Sequence, residues 1–377
     1  MDFDWSQEQI DFREAVIGFV KADLADSEHS LEGLRAAWKK CADFGIQGLA
    51  VAPEYGGTGA SYLTVVAALE ALGYACTDNG LIFSLNAHMW ACQHPIARFG
   101  NEEQKTRYLP GLCDGSLIGA HAMSEPGAGS DAFALRTTAT LDGDSYRLNG
   151  SKTFVTNAPV AEVFVAFART PGTTGFSGLS GFIVEKGMPG LRVSAPMTKM
   201  GLHTSPMGEV FFDDCVVPAA NLLGRPGLGM PIFTAAMELE RSMILASTIG
   251  SMERTLERTL AYARERRQFD QPIGKFQAVS HPLVDMKLRL ETSRLLLYRL
   301  AWLLDQGRPA GLDSALVKLQ LAEAYVATSL EALQLHGGYG YMAETGLEQE
   351  VRDALAARLY SGTSEIQRNL AARHLGL

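Results

Sequence analysis

Paired cysteines are missing from this chain of 377 residues. Its five, Cys41, Cys76, Cys92, Cys113 and Cys215, are odd in number and form no C-x-x-C unit. That argues against a disulfide framework and against a zinc site, and no metal is expected. Reduced thiols in a cytoplasmic protein fit the pattern. An excess of positive charge is missing too. The 33 Lys and Arg are outnumbered by 42 Asp and Glu, leaving a formal charge of −9. With no basic stripe to offset it, nonspecific nucleic-acid binding is not expected. No apolar run approaches the roughly 20 residues that a membrane span needs. The opening MDFDWSQEQIDF is acidic and amphipathic, unlike a signal peptide. Low-complexity linkers and internal repeats are likewise lacking.

What is present changes texture twice. Up to about residue 115, Trp5, Ile10, Phe12, Val16, Phe19 and Val20 recur near a 3.6 period, and a second apolar helix near 62–73 follows the break PEYGGTGAS. From about 116, alternation and β-branched residues take over. Asp142-Gly143 and Asn149-Gly150 read as turns between antiparallel strands. From about 229, long helical segments return with few breakers. The expected fold is therefore α+β and multi-domain. It has a helical N-terminal domain over 1–115, an antiparallel β domain over 116–225 and a helical, four-helix-bundle-like domain over 226–377. At 47% hydrophobic and 20% charged, the chain can bury a sizeable core.

Three short stretches carry chemistry. MSEPGAGSD at 123–131 offers Ser124, Gly127, Gly129 and Ser130. Glycine permits the positive φ that gathers backbone N–H groups around a polar ring edge or phosphate. The stretch also reads as an ordinary turn entering the β unit, and it is not the G-x-G-x-x-G of a Rossmann fold. NGSKTFVTN at 149–157 puts Phe154 and Thr156 on a strand, where Phe154 read alone is core. LYSGTSEIQR at 359–368 sets Ser361, Gly362 and Thr363 ahead of the last helix, whose free N–H groups suit an anion.

Together these stretches resemble the flavin-binding signature of the acyl-CoA dehydrogenase family, and the helical–β–helical order matches along nearly the whole chain. The resemblance implies noncovalent FAD. The residue matching Phe154 packs on the isoalloxazine ring, and the one matching Thr156 bonds near its reactive nitrogen. RERRQFDQPIGKFQ at 264–277 is similar to the family's RxxFGxxI/L segment, with Arg266, Gln268 and Phe269 in matching places and Asp270 where Gly is usual. Gln334, Gly337 and Gly338 in QLHGGYG resemble a pyrophosphate contact. Read from the residues alone, the first segment is a solvated basic helix end and the second a helix C-cap. By resemblance both serve FAD held by a neighbouring subunit, which implies a homotetramer built as a dimer of dimers. Thr363 falls on the flavin diphosphate side, and Glu365 stands where Gln is common.

One departure concerns the base. Family members often carry a catalytic Glu immediately before the Gly-Thr pair, and this chain has Ser361 there. An unactivated hydroxyl is a poor base at neutral pH, so Ser361→Ala is expected to cost little. The helix in PIFTAAMELERSMILASTIGS at 231–251 is apolar nearly all round. Glu238 can meet Arg241 three residues on, whereas Glu240 faces Ala236, Met237, Met243 and Ile244. An unpaired carboxylate there carries a raised pKa and is a candidate base, unless a cation from another segment reaches it. A minority branch of the family, including isovaleryl-CoA dehydrogenase, has its catalytic Glu on this helix before an Arg, as in Glu240-Arg241.

The expected activity is FAD-dependent α,β-dehydrogenation of an acyl thioester. Glu240 takes the α proton, and Arg241 and Ser361 border the substrate. The thioester is on CoA or on a carrier protein; CTDNGLIFSLNAHMWAC and SPMGEVFFDDCVVP look closest to biosynthetic members that oxidise groups such as prolyl. The electron acceptor is an electron-transfer flavoprotein or O₂. Two alternatives stay open at this point, a flavin oxidase or monooxygenase on the same fold and a noncatalytic flavin or thioester binder.

Overall fold

The computed structural model describes residues 5–25, 30–172 and 178–377. Six helices come first: α1 Gln7–Phe19, α2 Leu31–Phe44, α3 Tyr62–Ala75, α4 Asn79–Ala87, α5 His94–Phe99 and α6 Glu102–Cys113. The strands are β1 Gly119–Ala122, β2 Thr138–Asp142, β3 Ser145–Thr156, β4 Val163–Arg169, β5 Leu179–Glu185, β6 Leu191–Val193, β7 Met207–Pro218 and β8 Leu222–Leu223. Then come α7 Gly229–Met243, α8 Ala246–Glu265, α9 Gln277–Asp305, α10 Gly311–His336, α11 Leu347–Leu355 and α12 Ser364–His374. The expected helical, β, helical order is present.

Ser61 starts α3 by accepting from the Thr64 N–H, after the PEYGG turns. Two glycines let α3 cross α8 closely. A Cβ on Gly73 would collide with the Ser247 carbonyl, and one on Gly250 with the Glu70 carbonyl. In consequence the N- and C-terminal helices share one core, in which Leu34 and Leu69 join Met243, Leu290 and Leu321. α10 sits at its centre, packed on α7, α8, α9, α11 and α12.

The eight-stranded sheet runs β6-β7-β3-β2-β4-β5-β8, with β1 added on β4. Most pairings are antiparallel, but β1 and β2 both run parallel to β4, so the sheet is mixed rather than purely antiparallel. The long excursion between β1 and β4 gives the chain length to cross over instead of turning back. Asp142-Gly143 does open a hairpin turn, with Asp142 opposite Ser145. Asn149-Gly150 does not. It lies inside β3, where the register against β7 shifts between Leu148 and Gly150. Gly150 has φ +147°, and a Cβ there would press on Thr137. The pair is not a turn; it lies opposite a β-bulge whose extra residue is on β7, where Asp213 and Asp214 face Asn149. A second shift, between Lys152 and Val155, twists Phe154 to φ +55°. That bulge turns the ring off the strand and leaves it 64% exposed.

Gly73→Ala should force α3 and α8 apart and destabilise the protein by about 1–3 kcal/mol, the usual range for overpacking. Denaturant unfolding beside Gly18→Ala, whose added Cβ meets nothing within 4 Å and whose backbone is helical, checks the steric origin of the loss. An unchanged midpoint for Gly73→Ala would remove it.

Candidate active site

The loop between α11 and α12 meets α7 at a buried position. Glu240, on α7, is 7% exposed, and Ala236, Met237, Met243 and Ile244 beside it are all buried. The Ser361 hydroxyl donates to Glu240 Oε1 at 2.5 Å. Oε2 is buried with no partner. Burial pushes the Glu240 carboxyl up to about 7, against the opposing pull of the Ser361 hydroxyl, Arg241 and Lys318. Among the described residues no cation hydrogen-bonds to it, so the carboxylate stays unpaired as the helix pattern implies. The expected Glu238–Arg241 pair is absent among the described residues. Arg241 turns instead to the loop, its Nε donating to the Ser361 carbonyl at 3.3 Å. Burial lowers the Arg241 pKa, and that backbone oxygen meets part of its need for acceptors.

Ser361 and Gly362 both sit at positive φ, +54° and +87°. Carbonyl contacts hold this strained corner. Gln367 Nε2 donates to Ser361 O and Gly362 O, at 3.1 and 2.8 Å. Lys318 Nζ donates to Gly362 O and Ala357 O, both at 2.8 Å. Lys318 is fully buried, and burial followed by Arg241 lowers it to about 8. Thr363 caps α12, its hydroxyl oxygen accepting from the Ile366 N–H at 3.3 Å.

Ser124 and Phe154 meet at the end of β1. The Thr153 N–H donates to Ser124 O at 2.9 Å, which fixes the strand of Phe154 against the 124–131 loop. Beneath them Lys152 Nζ reaches Glu125 Oε1 at 2.8 Å and Met123 O at 3.2 Å. Burial opposes ionisation of Glu125, but Lys152, Thr137 and the Arg136 N–H overcome it and bring its pKa below the usual range. Gly129 and Ser130 lie on the exposed side of the loop. A Cβ built on Gly127 or Gly129 meets nothing within 4 Å. A cavity of about 300 Å³ opens between this loop, Thr137 and Gly150.

Thr156 ends β3, and Asn157 follows, buried at φ +67°. Its Nδ2 donates to Ser84 O and Gly119 O. Next to Ser84, the Phe83 ring packs against Tyr360 at a tilt, with centroids 4.6 Å apart. Helix α4 thus ties the end of the Phe154 strand to the loop of Ser361.

Arg266, Gln268, Gln334, Gly337 and Gly338 line a separate cleft of about 620 Å³. Tyr262 stacks on His336 at 4.2 Å, and Arg266 lies 5.7 Å over the Tyr339 ring. The glycines again face open space. Phe269 is 88% exposed, outside this lining. It and Asp270 take φ +49° and +63°. Asp270 therefore makes the left-handed turn expected of Gly, a conformation that Asp tolerates. The cleft is remote from the base in the same chain. Lys318 and Gln334 lie on one helix, about 24 Å apart along its axis.

Sequence reasoning missed Asn157, Lys318 and Gln367. A lone Lys in the apolar run ALVKLQLAEAYVATSL was the available signal for Lys318. Gln367 stood inside a stretch singled out for its glycine. Asn157 ended another such stretch, NGSKTFVTN, singled out for Phe154 and Thr156.

Sequence models of the acyl-CoA dehydrogenase N-terminal, middle and C-terminal domains match residues 6–116, 120–215 and 227–376. The chain belongs to the acyl-CoA dehydrogenase family. Among family members, an L-prolyl-[peptidyl-carrier protein] dehydrogenase of Pseudomonas fluorescens is 44% identical, over 100% of both chains. The crystal structure of the prolyl acyl carrier protein oxidase AnaB superposes with a TM-score of 0.97 at 48% identity, covering 99% of this chain and 100% of that one. A structure of PigA with FAD and proline gives 0.94 at 40% identity over the whole of both. No described helix is long and apolar enough to cross a membrane, and no described cluster of His, Cys, Asp and Glu is placed to hold a metal.

The raised Glu240 pKa links to stability. Its cost is absent below the ordinary carboxylate pKa and grows as pH rises toward 7. Glu240→Gln carries no such charge. It should gain stability over wild type as pH rises from 4.5 to 7, by on the order of 1–3 kcal/mol, and the gap should then level off. Thermal melts of both proteins across that range check this, and a gap independent of pH would contradict it.

Proposed function

We propose that this chain is an FAD-dependent dehydrogenase that oxidises the Cα–Cβ bond of an acyl thioester, with prolyl on a carrier protein as its substrate. The carrying observation is the desolvated, unpaired Oε2 of Glu240. Its pKa near 7 suits a base working at neutral pH. The substrate class is supported by two relatives above 40% identity that are named for prolyl groups on carrier proteins.

The residues present fit FAD. Phe154 offers an exposed ring at the Ser124 loop, and the four open glycines leave room for a diphosphate chain. Ser124, Gly129, Ser130, Phe154, Thr156 and Thr363 would hold the flavin half. Arg266, Gln268, Phe269, Gln334, Gly337 and Gly338 would hold the adenine half from the next subunit. When bound, the flavin supplies the acceptor for the hydride leaving Cβ.

The protein's own part is proton chemistry and positioning. Glu240 Oε2 accepts the proton from Cα, so the electrons of that C–H bond become the new double bond. A dry pocket keeps water from competing for the carboxylate. Arg241 lies beside the base and fixes the Ser361 carbonyl, bordering the thioester without taking its proton.

The spacing of about 24 Å along α10 between Lys318, at the Ser361 loop, and Gln334, in the cleft, supports sharing of cofactor between subunits. A stripe of exposed apolar side chains on α9, Val284, Leu288, Leu295 and Trp302, supplies a surface for a homotetramer. The cytoplasm is the compartment this reading requires, because carrier-bound substrates are made there. A second reading, O₂ as electron acceptor in place of an electron-transfer flavoprotein, is favoured by the relative named an oxidase. Stopped-flow reoxidation by each acceptor separates the two.

The purified protein should be yellow, with about one FAD per chain. Anaerobic mixing with prolyl carrier protein should bleach it, and Glu240→Gln should slow bleaching by roughly 10²–10⁴ while FAD stays bound. Bleaching of Glu240→Gln at the wild-type rate would sink the assignment of the base. Light scattering should show at least a dimer; an active, FAD-loaded monomer would rule out the shared site.

A further inference from the structure

The Ser361 hydroxyl gives this site a device that an apolar pocket around a lone carboxylate would lack. The two oxygens of Glu240 are unequal: Oε1 accepts from Ser361 Oγ, and Oε2 accepts from nothing. The donor itself is not free to wander. Its residue is pinned at φ +54°, with its carbonyl held by Arg241 and Gln367 and the next carbonyl held by Lys318 and Gln367. Four hydrogen bonds thus fix where one hydroxyl points.

We propose that Ser361 is a positioning residue for the base. Its hydroxyl holds Oε1 of Glu240, sets the rotation of the carboxylate and leaves Oε2 as the oxygen that takes the substrate's α proton. This rests on Glu240 being the base. No atom of Ser361 changes its bonding in the reaction; its proton stays on Oγ while Oε2 gains one.

The same contact tunes the base. A donor to a carboxylate favours the ionised form. Burial drives Glu240 the other way, and the remaining charged or titratable groups facing it are Arg241 on its own helix, Lys318 on α10 and Tyr360 on the loop. The hydrogen bonds that the two cations make go to loop carbonyls, two from Lys318 and one from Arg241 Nε, and among the described residues neither donates to Glu240. Ser361 is therefore the direct donor to the base, and the cations act on it through space. This revises the expectation that Ser361→Ala costs little, which treated the hydroxyl only as a substitute base.

Two substitutions test the proposal in the holoenzyme. Ser361→Ala removes the hydroxyl and keeps a side chain at the strained φ. Ser361→Gly removes it and relieves the strain. The Glu240 carboxyl is titrated by infrared difference spectroscopy, its band assigned by its loss in Glu240→Gln. The pH dependence of single-turnover flavin bleaching is measured alongside. Both Ser361 variants should raise the carboxyl midpoint by about one pH unit, and the acidic limb of the rate profile should move with it. Below the midpoint this lowers the rate about tenfold. Unmoved midpoints in both variants overturn the proposal. A shift in Ser361→Ala alone also overturns it, because the backbone and not the hydroxyl is then responsible. Wild-type bleaching by Glu240→Gln would defeat the assignment of the base itself, and Ser361 would have no base to position.

Discussion

Glu240 carries its charge into a place that solvates it badly, and the surrounding architecture is arranged around that cost. An ionised carboxylate among Ala236, Met237, Met243 and Ile244 is expensive. Replacing it with an apolar residue would remove the expense, so its presence needs a chemical reason. One oxygen has a single neutral donor and the other has none. That leaves the group ready to accept a proton near neutrality, where a fully satisfied carboxylate would be too weak a base.

Supporting such a group requires a rigid corner, and the chain builds it from distant segments. Lys318 comes from α10, Arg241 from α7 and Gln367 from α12, and all three donate to backbone oxygens of one loop. The two cations lower the field around the base without pairing with it. A direct Lys318–Glu240 bridge would stabilise the anion and abolish its basicity. Helix α4 extends the same frame to the sheet. Through Phe83–Tyr360 and Ser84–Asn157, the strand carrying Phe154 and the loop carrying Ser361 keep a fixed relation. A fixed relation is what proton and hydride removal from adjacent carbons demands.

Much of this was legible in the sequence, for identifiable reasons. The two helical regions and the β region follow from periodicity, which is set by residues that must be buried. Glu240 could be singled out because helix geometry alone decides which neighbours it faces. Arg241 could not be placed so simply. Spacing offered it Glu238, but tertiary structure offered the backbone carbonyl of Ser361, which it shares with Gln367, and that competing acceptor won. Asn149-Gly150 looked like a turn because Asn-Gly favours one locally; only the pairing partner β7, which bulges opposite the pair, shows that it stays inside a strand. The role of Asn157 was not legible because its side-chain contacts, to Ser84 and Gly119, are long-range. The Ser361 hydrogen bond joins residues 240 and 361, and no local pattern reports such a meeting.

The central claim is geometric: the proton leaves for Oε2 of Glu240. A crystal structure of the FAD-loaded protein with a thioester analogue that cannot be oxidised tests it most directly. The account predicts the α carbon within about 3.5 Å of Oε2, with Ser361 still donating to Oε1. An α carbon out of reach of Glu240, or seated against a different carboxylate, would contradict it.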